Sequence, residues 1–246
     1  MSTDAGLRLF AHIAARAEAD LDLPRAALLL AEAERPGLDV VSYLERLDEL
    51  GVLARDRVQK LRPGQRVAAL LELFYEELGF SGNAEDYYDP GNSFLDQVLD
   101  RRTGIPITLA LVLVEVARRA GLDAHGVGFP GHFLVRFDED DEVTLVDPFE
   151  GLVLDDAGIQ ALAMRATGRP KVPEARAFEP ATKANTLIRM LNNLRGIYAA
   201  EEDRPRLRGI LERLEVLAPS ADLRRQIEAL GGGLNPPPRS RSTLIS

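Results

Sequence analysis

The amino-acid sequence predicts an α+β fold, and three observations carry that prediction. Apolar residues recur at helical spacing through residues 5–80. A nearly all-apolar helix, "PITLALVLVEVARRAG" (106–121), comes next, and period-two alternation then takes over in "HFLVRFD" and "VTLVDPF". A helix apolar all round needs cover all round, so it belongs inside the molecule with an antiparallel sheet packed against it. The expected organisation is a helical N-terminal region on the core (1–80), a core (81–160), a linker (161–181), paired helices (182–231) and a disordered tail (232–246).

Each element follows from local chemistry. "LRLFAHIAARAEAD" and "DLPRAALLLAEAERPG" are amphipathic, the second with Pro24 early, where a helix tolerates it, and Gly37 as a stop. "DVVSYLERLDELGVLARDRVQKL" has Asp39 as its candidate N-cap. "GQRVAALLELFYEELGF" reads as one helix with Leu70, Leu71, Phe74, Tyr75 and Leu78 on a shared face. Nothing in these helices suggests chemistry. "SGNAEDYYDPGNS" (81–93) has loop composition and carries two adjacent tyrosines, and "FLDQVLDRR" is a short helix capped by Ser93. Pro106 suits the first turn of the buried helix and Gly121 its end.

In "HFLVRFD", alternation sends His132, Leu134 and Arg136 one way and Phe133, Val135 and Phe137 the other. "DEDDE" is an acidic hairpin tip that lacks the spacing and glycine of a calcium loop. Residues 152–181 are rich in Pro and Arg, with one possible short helix at "DDAGIQALAMRAT". Beyond them, "TKANTLIRMLNNLRGIYAAEE" and "DRPRLRGILERLEVLAPS" form a pair about the length of one helical repeat, which must dock its apolar face on something.

Composition excludes several function classes. The 246 residues carry a net charge of −9, so no basic surface for nucleic acid is expected. With no cysteine in the chain, disulfides, thiolate zinc sites and cysteine nucleophiles are out. Three histidines, His12, His125 and His132, are too few for a histidine-rich metal centre, so no metal or cofactor is expected. The N-terminus lacks a basic segment before an apolar run, and "IPITLALVLVEVA" is too short to span a bilayer. The expectation is a cytoplasmic protein with no membrane partner.

His132 lies in a glycine-bounded turn, "FPGHF", at a strand start, and Asp147 ends the next antiparallel strand. An Asp–His hydrogen bond would orient the imidazole and raise its basicity, as a general base requires. The alternative is that His132 and Asp147 each merely cap a turn.

The blocks "YYDPGNSFLDQVLDRRTGIPITLAL", "GVGFPGHFLVR" and "LVDPFEG", with a fainter "MLNNLRGIY", resemble the SirB-type bacterial proteins. The core of that family is similar to transglutaminases and other papain-like enzymes, and its C-terminus carries tetratricopeptide-like helices. The resemblance implies a nucleophilic cysteine at the start of the buried helix, with the histidine and aspartate on adjacent strands. In that pattern a glycine stands two residues before the cysteine and an alanine four after it. Gly104, Ala110, His132 and Asp147 match, but the nucleophile slot falls on Pro106, which has no attacking atom.

Other groups could in principle attack. Thr108 and Ser93 are the nearby hydroxyls, but Thr108 lies two positions past the slot, a rotation of roughly 200° about the helix axis. Water activated by His132 and Asp147 is a second route, with Arg101 or Arg102 holding a carboxylate and Asp89, Asn92 and Arg136 lining the cleft. The same residues also read as helix-end ion pairs and turn formers. The expected function is a regulatory, non-catalytic module that binds a protein or peptide. The alternative is an amide hydrolase or acyl-transferase built on His132 and Asp147.

Overall fold

The structure, a computed structural model, describes residues 3–140, 142–168 and 174–231. The expected tail at 232–246, and residues 169–173 of the expected linker, lie outside these.

The N-terminal layer holds α1 (Thr3–Ala14), α2 (Leu23–Glu34), α3 (Val40–Val58) and α4 (Arg66–Leu71). Asp22 and Asp39 cap α2 and α3, accepting the backbone N–H of Arg25 and Ser42 at 3.0 and 3.1 Å. The helix predicted over 64–80 changes character midway: α4 passes into a π-helical turn at Glu72–Glu77. That wider turn keeps Leu70, Leu71, Leu73 and Phe74 buried together, and it leaves Tyr75 half-buried towards the following core.

A short parallel pairing, β1 (Ser81–Gly82) with β2 (Thr103–Gly104), brackets the tyrosine loop and α5 (Leu95–Arg101). The expected Ser93 cap of α5 is a correction. Pro90–Ser93 form a 3-10 turn that Asp89 caps at the Gly91 N–H, so α5 starts one residue later, behind an extended Phe94 with no side-chain cap. Asp96, buried in α5, is instead gripped by Arg35, whose Nε and Nη2 reach its two oxygens at 2.7 and 2.5 Å.

The central helix α6 (Pro106–Arg119) is buried from Pro106 through Ala117. On one side α3 crosses it at Gly51, where a Cβ would fall within 2.8 Å of Arg119 Cδ. On the other lies a four-stranded antiparallel sheet ordered β3 (Asp123–Val127), β4 (Leu134–Glu139), β5 (Glu142–Asp147), β6 (Leu152–Leu154). Phe133, Val135 and Phe137 join the core around α6. Leu134 faces away, into a smaller cluster with Val127 and Phe129.

That smaller cluster is closed by Leu162 and Ala163 of α7 (Asp156–Thr167). The expected division between core and linker at 160 therefore falls inside a helix. Its apolar residues cover the second face of the sheet, which the strand pattern leaves uncovered. Last come α8 (Lys183–Ala200), α9 (Arg204–Leu217) and α10 (Ala221–Ala229). α8 packs on α6 and α2, and α9 packs on α1, so the C-terminal helices close against the N-terminal layer. Among the described residues no helix is long and apolar enough to cross a membrane.

Candidate functional site

The site forms where the loop between β3 and β4 meets the end of β5. After β3 the chain turns through Phe129, whose carbonyl accepts the His132 N–H at 3.1 Å. Gly131 sits in that turn at φ 66°, with Ala166 of α7 so close that a Cβ would lie 3.0 Å from it. A side chain there would be strained and crowded, so glycine is what lets the turn deliver His132.

His132 Nε2 and Asp147 Oδ1 lie 2.9 Å apart, with the carboxylate 1% exposed and the imidazole side chain 15%. The same oxygen accepts the backbone N–H of Phe149 at 2.9 Å and of Glu150 at 3.4 Å. The two alternatives for Asp147 are thus both realised: it caps the "DPFEG" turn and orients the imidazole with one atom. Burial by itself raises the Asp147 carboxyl. The hydrogen bond and charge of His132, with those two backbone N–H groups, outweigh burial and hold it below its ordinary value. With Nε2 donating to the carboxylate, a neutral imidazole presents Nδ1 as its free acceptor.

Pro106, the first residue of α6, lines the same cleft of about 250 Å³ as His132 and Asp147. Tyr87, Phe149, Leu162 and Arg165 complete much of its wall. Among the described residues, no side-chain hydroxyl lies within hydrogen-bond distance of His132 Nδ1. Thr108 is fully buried and turned inward, 2.6 Å from the Asn92 carbonyl and accepting the Ile105 N–H at 3.2 Å. Among the described residues, Ser93 Oγ is buried without a hydrogen-bond partner, and it does not line the cleft.

The residues expected to bind a carboxylate or line the cleft are placed elsewhere. Arg101 donates to Asp89 at 2.5 Å and to the Asn92 side chain at 3.0 Å. Burial raises the Asp89 carboxyl, but Arg101 and the Gly91 N–H outweigh it and lower it. Asn92, fully buried, donates to the carbonyls of Asp86 and Tyr87 at 2.7 and 3.2 Å. These three residues staple the tyrosine loop and present Tyr87 to the cleft, because a loop of this composition has no ladder of its own to hold it. Arg102, left-handed at φ 57°, ties to the Leu78 carbonyl at 2.6 Å. Arg136 forks onto Asp138, with Nε 3.0 and 2.9 Å from its two oxygens.

Asp138 also belongs to a three-residue group with Asp123 and His125, whose ligand atoms lie within 4.8 Å of one another. Arg136 already neutralises Asp138, and Arg118 Nη2 stands 3.1 Å from His125 Nδ1. The sheet edge thus holds its own cations.

Sequence reading missed three supports of the site. Tyr75, from the π-helical turn, donates to the Pro148 carbonyl at 3.1 Å, and its ring packs under Gly151. Phe149 sets its ring edge-on to Tyr87 at 5.8 Å. Arg189 of α8 donates to the carbonyls of Phe129 and His132 at 3.1 and 2.7 Å and lies over the Phe133 ring at 5.2 Å. Burial lowers its guanidinium from the usual range, and among the described residues it has no carboxylate partner. The one signal for it was an arginine next to the buried positions of α8.

A buried helix whose first turn meets a His–Asp pair held at the ends of antiparallel strands defines a papain-like class of core. Residues 41–192 match the family model described as the transglutaminase-like superfamily, and the chain belongs to that superfamily. It is similar to a UPF0162 protein of Xylella fastidiosa, 36% identical over 223 residues that cover 87% of this chain and 78% of the relative. A UPF0162 protein of Pseudomonas aeruginosa is 34% identical over 179 residues, 71% of this chain and 64% of the relative. Human F-box only protein 21 is 39% identical over 94 residues, 38% of this chain and 15% of that protein.

Proposed function

We propose that the chain is a non-catalytic member of the transglutaminase-like superfamily whose cleft binds an extended segment of protein or peptide. One observation carries this reading: a proline, Pro106, lines the same cleft as the hydrogen-bonded His132–Asp147 pair. Covalent acyl chemistry needs an ionisable nucleophile within reach of the base, and proline offers none. What remains is a concave wall of Tyr87, Phe149 and Leu162 with polar groups at its rim, the composition of a binding site.

The tetratricopeptide-like reading of α8 and α9, the SirB-type assignment, the regulatory role and the cytoplasmic location belong to the same proposal. In support of the first, α8 and α9 pack as a pair, burying Leu194, Tyr198, Ile210, Leu211 and Leu214 between themselves and their neighbours.

The test uses a tryptic digest of casein as a peptide pool. Mass spectrometry should find no hydrolysed, deamidated or cross-linked product after incubation with the protein. Immobilised protein should retain a subset of the peptides, and Tyr87→Ala or Arg165→Ala should reduce that retention. A product that disappears in His132→Ala would establish the enzyme instead.

A further inference from the structure

We infer that one extended peptide, with a basic residue at one end, occupies both the His132 cleft and a second groove along α8. This inference rests on the peptide-binding reading of the cleft and extends it.

The second groove, of about 490 Å³, is lined by Tyr88, Asn192, Asn193, Gly196, Ala200 and Glu201. It adjoins the cleft through neighbouring residues: Tyr87 lines one and Tyr88 the other, their ring centroids 5.3 Å apart. Tyr88 is 75% exposed, large for an aromatic ring on a loop stapled from below by Asn92. The same continuity appears on α8. Arg189 holds the His132 turn, and Asn192, Asn193, Gly196 and Ala200 follow it at helical spacing along one face.

The lining selects the occupant. Asn192 and Asn193 are exposed, and among the described residues neither side chain has a hydrogen-bond partner. Each carries a donor and an acceptor in one plane, which matches a peptide main chain. Gly196 and Ala200 keep the floor low enough for a backbone to approach. Glu201 ends the groove with no cationic partner among the described residues, and the chain as a whole carries −9. That charge favours a Lys or Arg side chain at this end and disfavours polyanions. Arg165 and Glu150 at the cleft do not pair with each other, so they offer the main chain one donor and one acceptor. From Arg189 to Ala200 the helix rises roughly 16 Å, the span of about five extended residues.

Phage-displayed random dodecapeptides, selected on the full chain, supply the probe. The best binder is then synthesised with a fluorescein label and titrated by fluorescence anisotropy. The expected peptide carries Lys or Arg near one end. Its affinity should fall tenfold or more in Asn192→Ala/Asn193→Ala, fall similarly in Tyr87→Ala/Arg165→Ala, and fall in Glu201→Lys. All substituted residues are exposed or line the grooves, and circular dichroism should show the fold intact. A binder sensitive to the cleft pair but indifferent to the α8 pair and to Glu201→Lys overturns the shared path and leaves the cleft reading standing. A binder indifferent to the cleft pair, or no enrichment, overturns both.

Discussion

Arg189 Nη2 donates to the carbonyl of His132 at 2.7 Å, joining the C-terminal helices to the turn that carries the imidazole. The guanidinium has no carboxylate partner among the described residues, so its charge is directed at two carbonyls and the Phe133 ring. Arg189→Ala should destabilise the fold by about 1–3 kcal/mol, since two turn carbonyls lose a charged donor. The sharper readout is local. The His132 ring resonances in an NMR spectrum should broaden or shift, while those of His12 stay put. Unchanged His132 signals would mean the turn is held without α8.

The acid limb of stability should report on Asp147. Its folded carboxyl is held below the ordinary value, so its contribution is fully present above about pH 4 and is lost as pH falls through the lower folded value. In His132→Ala the leading opponent of burial is gone, and the carboxyl rises. Acid unfolding should then begin at higher pH than in the parent chain. Thermal melts between pH 3 and 7 decide this, and coincident acid limbs would refute the coupling.

Replacing the slot residue tests the geometry without requiring turnover. Pro106→Cys places a thiol in the first turn of α6, where free N–H groups and a nearby imidazole favour the thiolate. Loss of the prolyl constraint should cost about 0.4–1 kcal/mol. Alkylation by iodoacetamide should be faster than for free cysteine at neutral pH, and slower again in Pro106→Cys/His132→Ala. Equal rates in the single and double variants would place the slot out of reach of the base.

Gly51 separates propensity from packing. By helix propensity alone, Gly51→Ala in the interior of α3 should stabilise by about 1 kcal/mol. Its Cβ would strike Arg119, itself held by Asp48 at 2.7 Å and by Glu115, and overpacking costs about 1–3 kcal/mol. The expected outcome is a lower melting temperature, and a higher one would show that α3 and α6 separate freely.

The buried Asp96 should be costly to neutralise. Asp96→Ala leaves Arg35 above the Phe94 ring at 4.9 Å without its carboxylate. Arg35 is 35% exposed and recovers some solvent, so a loss of about 2–3 kcal/mol in chemical denaturation is expected, below that of a fully buried pair.

Much of this architecture was legible because it depends on short-range pattern. The nearly all-apolar run from Ile107 to Ala117 required a buried helix, and alternation in "HFLVRFD" required a two-sided strand. Placing His132 and Asp147 at the ends of neighbouring strands put them within reach of each other and left open whether they pair or each caps a turn. Asp89, Asn92 and Arg101 read equally well as ligands or as turn formers, because their side chains suit both. Only their partners, each other and the tyrosine-loop carbonyls, distinguish the two. The targets of Arg189 and Tyr75 could not be read, since they are backbone carbonyls dozens of residues away.

The sequence by itself determined the helix and strand periods, the absence of a thiol and the imino acid at the head of α6, all of which are properties of composition and neighbours. The tertiary structure alone decided that α7 covers the second sheet face, that Asn92 presents Tyr87 to the cleft, and that Arg189 pins the histidine turn. Such contacts join groups distant along the chain, and their free energy exists only once folding has brought both partners out of water.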